Sequence, residues 1–253
     1  MYTSIKMIVT DLDGTLLRDD KTVSKLSKET LRRCREIGTK TVFATGRGRS
    51  GEHIVPLEYF DGQIVNNGAL AYAGDSLVYN RLIQCEKARP LLIACNQRGL
   101  KTAAQLNNVH YSNFDVIKEW SQFREYELVD FSLYDKETEK IYSLINSQED
   151  TAFINSILPN DLYMTVSREG MAMIMHKDAT KSAAATALAQ YWGISQSEIV
   201  AFGDDVNDID LLTSVGIGIA MGNALSEVKA AADFVCLSNE EDGLAKWLMS
   251  SFI

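Results

Sequence analysis

Short apolar runs that stop abruptly at polar residues recur near both ends of this chain and constrain its fold strongly. The run 5–9 leads into the sequence Asp-Leu-Asp-Gly-Thr, which begins at Asp11. Similar runs, separated by helical patterns, occupy 41–44, 63–65 and 199–202. Buried strands that alternate with helices are typical of βαβ units, whose strands form a parallel sheet. The pattern predicts an α/β fold with a doubly wound parallel sheet, and Ser27 is the expected N-cap of its first helix.

The middle of the chain has a different pattern, in which strand candidates follow one another directly. The runs 162–167 and 171–176 flank a short turn, and 139–147 alternates with the period of a half-exposed strand. Helix candidates are interspersed, at 87–97, 114–126 and 150–158. We therefore expect an α+β domain, residues 85–177, inserted into the parallel one, which comprises residues 1–84 and 178–253.

The overall charge excludes some partners. The formal net charge is -9, from 25 basic and 34 acidic residues, which argues against nucleic acid because its binding relies on Lys and Arg.

The four cysteines form no CxxC pair, so we expect reduced thiols in a cytoplasmic protein. The first ten residues lack a signal-peptide core, and no run is long enough to span a membrane. The oligomeric state stays open between a monomer and a weak homodimer.

Polar side chains collect where three of the predicted strands end. They are Asp11 and Asp13 at the first, Thr45 and Arg47 at the second, and Asp204, Asp205, Asn207 and Asp208 at a later one. The carboxyl ends of parallel strands share one edge of the sheet, where ligands bind, so we expect these side chains to converge. Clustered carboxylates without His or Cys favour a hard cation over zinc. The motifs therefore predict Mg2+ together with a phosphorylated ligand.

Lys181 lies in the first turn of a helix that opens at Thr180, where the helix dipole disfavours a cation. A nearby carboxylate or bound phosphate would offset that cost, so the placement favours a functional lysine over a solvated surface lysine, the usual alternative. The Thr45 hydroxyl and the backbone N–H groups around Gly46 can donate to phosphate oxygens. Arg47 either contacts the phosphate or pairs with a nearby carboxylate.

In this order, the motifs resemble those of the haloacid dehalogenase superfamily of phosphohydrolases. The matching residues are 11–15, Thr45, Lys181 and 203–208. Three further segments, 66–69, 218–224 and 241–243, resemble the Cof-type phosphatase subfamily, which carries a large C2-type cap between the second and third motifs. The resemblance implies a Rossmann-like catalytic core, with the inserted domain as the cap that sets substrate specificity.

The resemblance also implies a Mg2+-dependent phosphatase that hydrolyses a small phosphorylated metabolite, such as a sugar phosphate, through an aspartyl-phosphate. Asp11 would be the nucleophile, and Asp13 would protonate the leaving oxygen and then deprotonate water. Asp11, the backbone carbonyl of Asp13 and Asp204 would ligate Mg2+. Asp208 would support Lys181 or a metal-bound water.

The remaining motif residues are expected to bind the substrate. The transferring phosphoryl group would be held by Lys181 and by Thr45, with Gly46 and Arg47 beside Thr45. Asn207 would reach the phosphate or the rest of the substrate. Asp205 stands where Asn or Ser is common in the subfamily, and its role stays open.

Two other functions are compatible with the motifs. A phosphomutase would require a bisphosphate activator and release little free phosphate. A non-catalytic phosphate-binding or phospho-accepting module would give a stable phosphate on Asp11 or simple ligand binding, but the presence of Asp13, which discharges the intermediate, argues against it. The cap carries no recognisable code for the substrate, so the sequence does not identify the metabolite.

Overall fold

The structure is a computed structural model that describes residues 5–49, 55–120, 125–167 and 170–253. It divides into two compact units, which we call the core unit (1–80 and 180–253) and the cap unit (81–179). The chain thus passes between the units at 80/81 and 179/180, a few residues from the borders expected from the sequence, 84/85 and 177/178. Among the described residues, none of the helices has the length and apolar character needed to cross a membrane.

The helices and strands of the described residues follow in chain order. The first part of the core unit contains β1 (Met7–Asp11), α1 (Lys25–Glu36), β2 (Lys40–Ala44), β3 (Gly62–Val65), β4 (Leu70–Ala73) and β5 (Ser76–Asn80). The cap unit contains α2 (Cys85–Gln97), β6 (Thr102–Leu106), β7 (Val109–Ser112), α3 (Val116–Glu119), β8 (Tyr126–Leu128), β9 (Lys140–Leu144), α4 (Gln148–Ile157), β10 (Leu162–Val166) and β11 (Met171–His176). The core unit then resumes with α5 (Lys181–Tyr191), β12 (Ile199–Gly203), α6 (Ile209–Ser214), β13 (Ile217–Ala220), α7 (Ser226–Ala231), β14 (Phe234–Val235) and α8 (Gly243–Ser251).

The core unit is built on an eight-stranded sheet with the order β14-β13-β12-β1-β2-β3-β4-β5. The strands from β14 to β3 pair in parallel, which confirms the predicted α/β class, and β4 and β5 add an antiparallel edge that the sequence patterns did not indicate. All five residues of β1 are buried, and Asp11 pairs with Ala44 at the end of β2. The residues that follow β1, β2 and β12 therefore lie at the same edge of the sheet.

The cap unit is built on a six-stranded sheet with the order β10-β11-β9-β6-β7-β8. Its neighbouring strands are antiparallel, except that β8 pairs in parallel with β7. One face packs against α2 and α4 through an apolar cluster that includes Leu92, Ala104, Ile141 and Ile154. This arrangement is the α+β insertion that the strand and helix patterns predict.

Two local predictions were wrong. The predicted helix 114–126 is reduced to α3, since Tyr126 begins β8 and gains strand pairing with β7, and tertiary pairing outweighs local propensity. Residues 121–124 of that prediction lie outside the described residues. The N-cap of α1 is Ser24 rather than Ser27, because the Ser24 side chain accepts the Ser27 N–H at 2.9 Å.

Candidate active site

A buried lysine joins two carboxylates at the edge of the core sheet. The Lys181 Nζ lies 2.6 Å from Asp11 Oδ1 and 2.6 Å from Asp208 Oδ1. The Lys181 side chain has no exposed surface, which excludes the alternative of a solvated surface lysine. The other oxygen of Asp208 accepts the backbone N–H groups of Asp204 and Asp205, at 3.0 and 3.2 Å. Asp208 therefore holds Lys181 in place.

The start of α5 is fixed by a turn that follows β3. Thr180 is the N-cap, and its hydroxyl accepts the Ala183 N–H at 3.2 Å. Gly68, with φ +98°, packs so closely that a Cβ there would lie 2.0 Å from the Thr180 carbonyl oxygen. Only glycine combines this backbone angle with this approach. The turn therefore helps to place Lys181 opposite Asp11.

The third carboxylate of the site belongs to Asp204, which follows β12. Thr15 donates its hydroxyl to Asp204 Oδ1 at 2.8 Å. Gly14, with φ +79°, leaves the space that the second oxygen occupies, since a Cβ on Gly14 would lie 2.3 Å from Asp204 Oδ2. Carboxylate oxygens of Asp11, Asp204 and Asp208 all lie within 4.8 Å of one another. Residues at the carboxyl ends of β1 and β12 thus build one acidic cluster, as the strand-end argument predicts.

The charges of this cluster are only partly balanced. Burial raises the pKa of Asp11 well above its usual value, and the charges of Asp208 and Asp204 add to the effect, although Lys181 opposes it. Burial also raises the pKa of Asp204 to about 6, against the hydrogen bond from Thr15. Burial alone would lower the pKa of Lys181, but Asp11 and Asp208 outweigh it and keep the ammonium charged. One lysine therefore faces three carboxylates.

The donor set of the cluster fits a hard divalent cation. Its ligand atoms are all carboxylate oxygens, which suit such a cation. The single positive charge of Lys181 does not balance three carboxylates. Asp208 already accepts hydrogen bonds at both of its oxygens, from Lys181 and from two backbone N–H groups. Asp11 and Asp204 are therefore the carboxylates that could hold Mg2+, while Asp208 positions Lys181.

Asp13 is held in ion pairs. Arg47 approaches it in a bidentate manner, with Nε 2.6 Å from Oδ2 and Nη2 2.8 Å from Oδ1, and Lys21 Nζ lies 2.8 Å from Oδ1. Burial tends to raise the pKa of Asp13, but the hydrogen bonds from Arg47 and Lys21 outweigh it and lower the pKa to about 2. In this arrangement Asp13 is a carboxylate. Arg47 pairs with it, which is one of the two alternatives that the sequence left open for Arg47.

The residues predicted to bind phosphate surround the same strand ends. Thr45 is buried directly after β2, and its oxygen accepts the Arg47 N–H at 3.1 Å, which leaves the hydroxyl proton for donation. Asn207 donates to Asn67 Oδ1 at 2.9 Å. A Cβ on Gly46 would lie 2.9 Å from that same oxygen. The loops after β2, β3 and β12 therefore meet at this edge.

Sequence reasoning did not assign roles to three residues of this site: Thr15, Lys21 and Asn67. Thr15 and Asn67 belong to segments that carried the resemblance, so the signal was present, whereas Lys21 lies in a loop without a pattern. Asp205, whose role was open, is exposed and caps a turn by accepting the Val206 N–H at 2.8 Å.

Comparison with known proteins agrees with this geometry. The family model of haloacid dehalogenase-like hydrolases matches residues 8–248. The 5-amino-6-(5-phospho-D-ribitylamino)uracil phosphatase YitU of Bacillus subtilis is 28% identical, with alignment over 100% of this chain and 99% of YitU.

Two solved structures share the fold over nearly the whole chain. BT1666 of Bacteroides thetaiotaomicron, one of the phosphatases of this superfamily, superimposes with a TM-score of 0.85 at 29% identity, covering 97% of this chain and 94% of its own. The subclass IIB sugar phosphatase BT4131 gives a TM-score of 0.84 at 26% identity, covering 97% and 98%. The motifs, the fold and the family model agree, and the chain belongs to the haloacid dehalogenase-like hydrolase family.

Proposed function

We propose that this protein, a phosphatase of its family, hydrolyses a small phosphorylated metabolite through an aspartyl-phosphate on Asp11, with Mg2+ as cofactor. The observation that supports this most directly is the contact of Lys181 with both Asp11 and Asp208, beside Asp204. The relatives support the substrate class, since YitU is named for a phosphorylated ribitylaminouracil and BT4131 as a sugar phosphatase.

In the first step, a carboxylate oxygen of Asp11 attacks phosphorus and the bond from phosphorus to the leaving oxygen breaks, while Asp13 supplies a proton to that oxygen. In the second step, water attacks the phosphorus and the bond to Asp11 breaks, while Asp13 takes a proton from the water. Inorganic phosphate leaves, and Asp11 returns to its starting state.

Lys181 is suited to support both steps. An ammonium group has three N–H donors, of which Asp11 and Asp208 use two. The third is left for an oxygen of the transferring phosphoryl group, together with the Thr45 hydroxyl. When bound, Mg2+ would neutralise negative charge on the phosphoryl oxygens. These groups provide the positioning and charge stabilisation on which phosphoryl transfer mainly depends.

The metal requirement gives the first test. Treatment with a chelator is expected to abolish phosphate release from p-nitrophenyl phosphate, and added Mg2+ is expected to restore it. Asp204→Asn should raise the Mg2+ concentration for half-maximal activity by about tenfold or more, because it removes one charged ligand. Asp75→Asn is the matched control, since that side chain is exposed in the turn between β4 and β5. An unchanged Mg2+ requirement in Asp204→Asn would remove this residue from the proposed ligands.

The role of Asp13 is tested by the leaving group. Proton transfer to the leaving oxygen requires Arg47 and Lys21 to release the Asp13 carboxylate. In Asp13→Asn, kcat/KM for glycerol 3-phosphate is expected to fall by about 10^2- to 10^4-fold. The loss should be much smaller for p-nitrophenyl phosphate, whose leaving group departs without a proton. Equal losses for the two substrates would contradict general acid catalysis by Asp13.

A further inference from the structure

Lys21 belongs to a tight turn, residues 18–22, and has an unusual backbone conformation. Its φ is +65°, in the left-handed region that glycine and asparagine enter more readily than lysine. The turn is closed by two backbone hydrogen bonds. The Lys21 N–H donates to the Arg18 carbonyl at 2.9 Å, and the Arg18 N–H donates to the Thr22 carbonyl at 3.0 Å. A lysine in this conformation indicates that its side chain has a use at this position.

The Lys21 side chain reaches the carboxylate of Asp13. Its Nζ lies 2.8 Å from Oδ1, while Arg47 donates to both oxygens. A carboxylate has about four acceptor positions, two on each oxygen. Among the donors of the described residues, two are bound at Oδ1 and one at Oδ2. The two cations therefore leave Oδ2 as the oxygen of Asp13 that can accept a further hydrogen.

The turn is fastened to the segment 238–242, whose end lies in one of the motif segments that had no assigned role. Arg18 Nη2 lies 3.0 Å from each carboxylate oxygen of Asp242. Asn239 is buried, and its amide donates to Asp19 Oδ1 at 3.1 Å. An exposed ion pair between two mobile side chains contributes little. Here the turn that carries the lysine is held in place, so the ammonium stays at its carboxylate.

We propose that Lys21 is a positioning residue for the second step, in which it holds Asp13 while Oδ2 takes a proton from water. After the first step Asp13 has given its proton to the leaving oxygen, and it is then the carboxylate that Lys21 and Arg47 bind. The first step gains nothing from this contact, because the ion pairs open when Asp13 delivers its proton. Asp242 supports the same step indirectly, by holding the turn. This role rests on the proposed function, since it concerns the discharge of an aspartyl-phosphate.

Steady-state kinetics with p-nitrophenyl phosphate separate the two steps. The ratio kcat/KM reports formation of the intermediate, whereas kcat also includes its discharge. Lys21→Met is expected to lower kcat by about tenfold, the effect of about one charge-assisted hydrogen bond. KM should fall in proportion, so that kcat/KM stays within about twofold of the wild type. Rapid mixing should show a burst of about one equivalent of p-nitrophenol, because the phosphorylated enzyme accumulates.

Three variants separate positioning from a purely structural role. Lys21→Arg should restore part of kcat, because it returns a charged donor to the same place. Lys21→Gly should lose kcat as Lys21→Met does, although glycine suits the φ of this position. Its unfolding temperature should lie within about 2–4 °C of the wild type. Lys25→Met, at an exposed site of α1, should behave like the wild type.

Two further variants test the path through which Lys21 acts. Asp242→Asn should reproduce part of the loss of kcat, because it loosens the turn, and Asp75→Asn is its exposed control. Asp13→Asn lacks the carboxylate that Lys21 binds. Adding Lys21→Met to Asp13→Asn should therefore change the rate of discharge by less than about twofold.

The outcomes separate this proposal from the proposed function. If acid-quenched Asp13→Asn enzyme carries a phosphate on Asp11, but Lys21→Met shows neither a lower kcat nor a burst, only the role of Lys21 is wrong. A kcat/KM that falls as far as kcat, or a further loss in the double variant, also contradicts that role. If no phosphate is found on Asp11, the proposed function is wrong, and the step assigned to Lys21 fails with it.

Discussion

Replacement of Asp11 by Asn is expected to reduce phosphate release by about 10^4- to 10^6-fold, the scale of losses seen when a nucleophile is removed. An amide of nearly the same shape cannot attack phosphorus to form the intermediate. Folding should be preserved, because Lys181 keeps its contact with Asp208 and the variant removes one of three crowded carboxylates. Initial rates with p-nitrophenyl phosphate, measured at saturating Mg2+, give the activity, and thermal unfolding gives the stability.

The matched control for this variant is Asp75→Asn, the same change at an exposed turn. Its rate should stay close to that of the wild type. If Asp11→Asn is folded and keeps activity within tenfold of the wild type, Asp11 is not the nucleophile. A loss of both folding and activity would instead show that the Lys181–Asp11 pair stabilises the core, and Asp11→Glu would then decide, because it keeps the charge but displaces the attacking oxygen.

Replacement of Lys181 by Met is expected to reduce both activity and stability. The variant leaves Asp11 and Asp208 buried without their shared cation, and breaking such a contact typically costs about 3–5 kcal/mol of unfolding free energy. The rate should fall by about 10^2- to 10^3-fold or more, because a charged donor to the phosphoryl group is lost. Urea unfolding and phosphate release at saturating Mg2+ measure the two effects.

Two further variants separate the charge effect from the loss of a lysine. Lys25→Met changes an exposed residue of α1 and should alter stability by about 0.5 kcal/mol or less. In Lys181→Met, a second change, Asp208→Asn, should recover part of the lost stability, because one unpaired carboxylate is removed. A Lys181→Met variant as stable as the wild type would contradict the buried charge triad of Lys181, Asp11 and Asp208.

The sequence predicts which polar residues converge at the sheet edge, because parallel topology fixes where strand ends lie. Asp11 ends β1, and Thr45 and Asp204 follow β2 and β12, which pair in parallel with β1, so residues far apart in the sequence meet at one edge. The position of Lys181 in the first turn of a helix, unfavourable for a cation, correctly pointed to nearby negative charge. The contacts of Lys181 with Asp11 and Asp208 are the physical explanation of that position.

Other features of the site depend on contacts that no local pattern encodes. Lys21 reaches Asp13 from an irregular loop, and the ion pairs of Asp13 set its pKa near 2. Neither follows from residue spacing. Tyr126 likewise joins a parallel strand pair in the cap although its neighbours have helical spacing. In each case the deciding interaction joins residues that no local sequence pattern relates to each other.

The most direct test of the proposed function is to identify the phosphorylated residue. Asp13→Asn enzyme, which should form the intermediate with p-nitrophenyl phosphate but discharge it slowly, is quenched in acid and treated with borohydride, which reduces an acyl phosphate to an alcohol. Peptide mapping by mass spectrometry should then find homoserine at position 11 and unchanged aspartate at position 204. Unmodified Asp11 in enzyme that has released one equivalent of p-nitrophenol, or modification at another residue, would contradict an aspartyl-phosphate on Asp11.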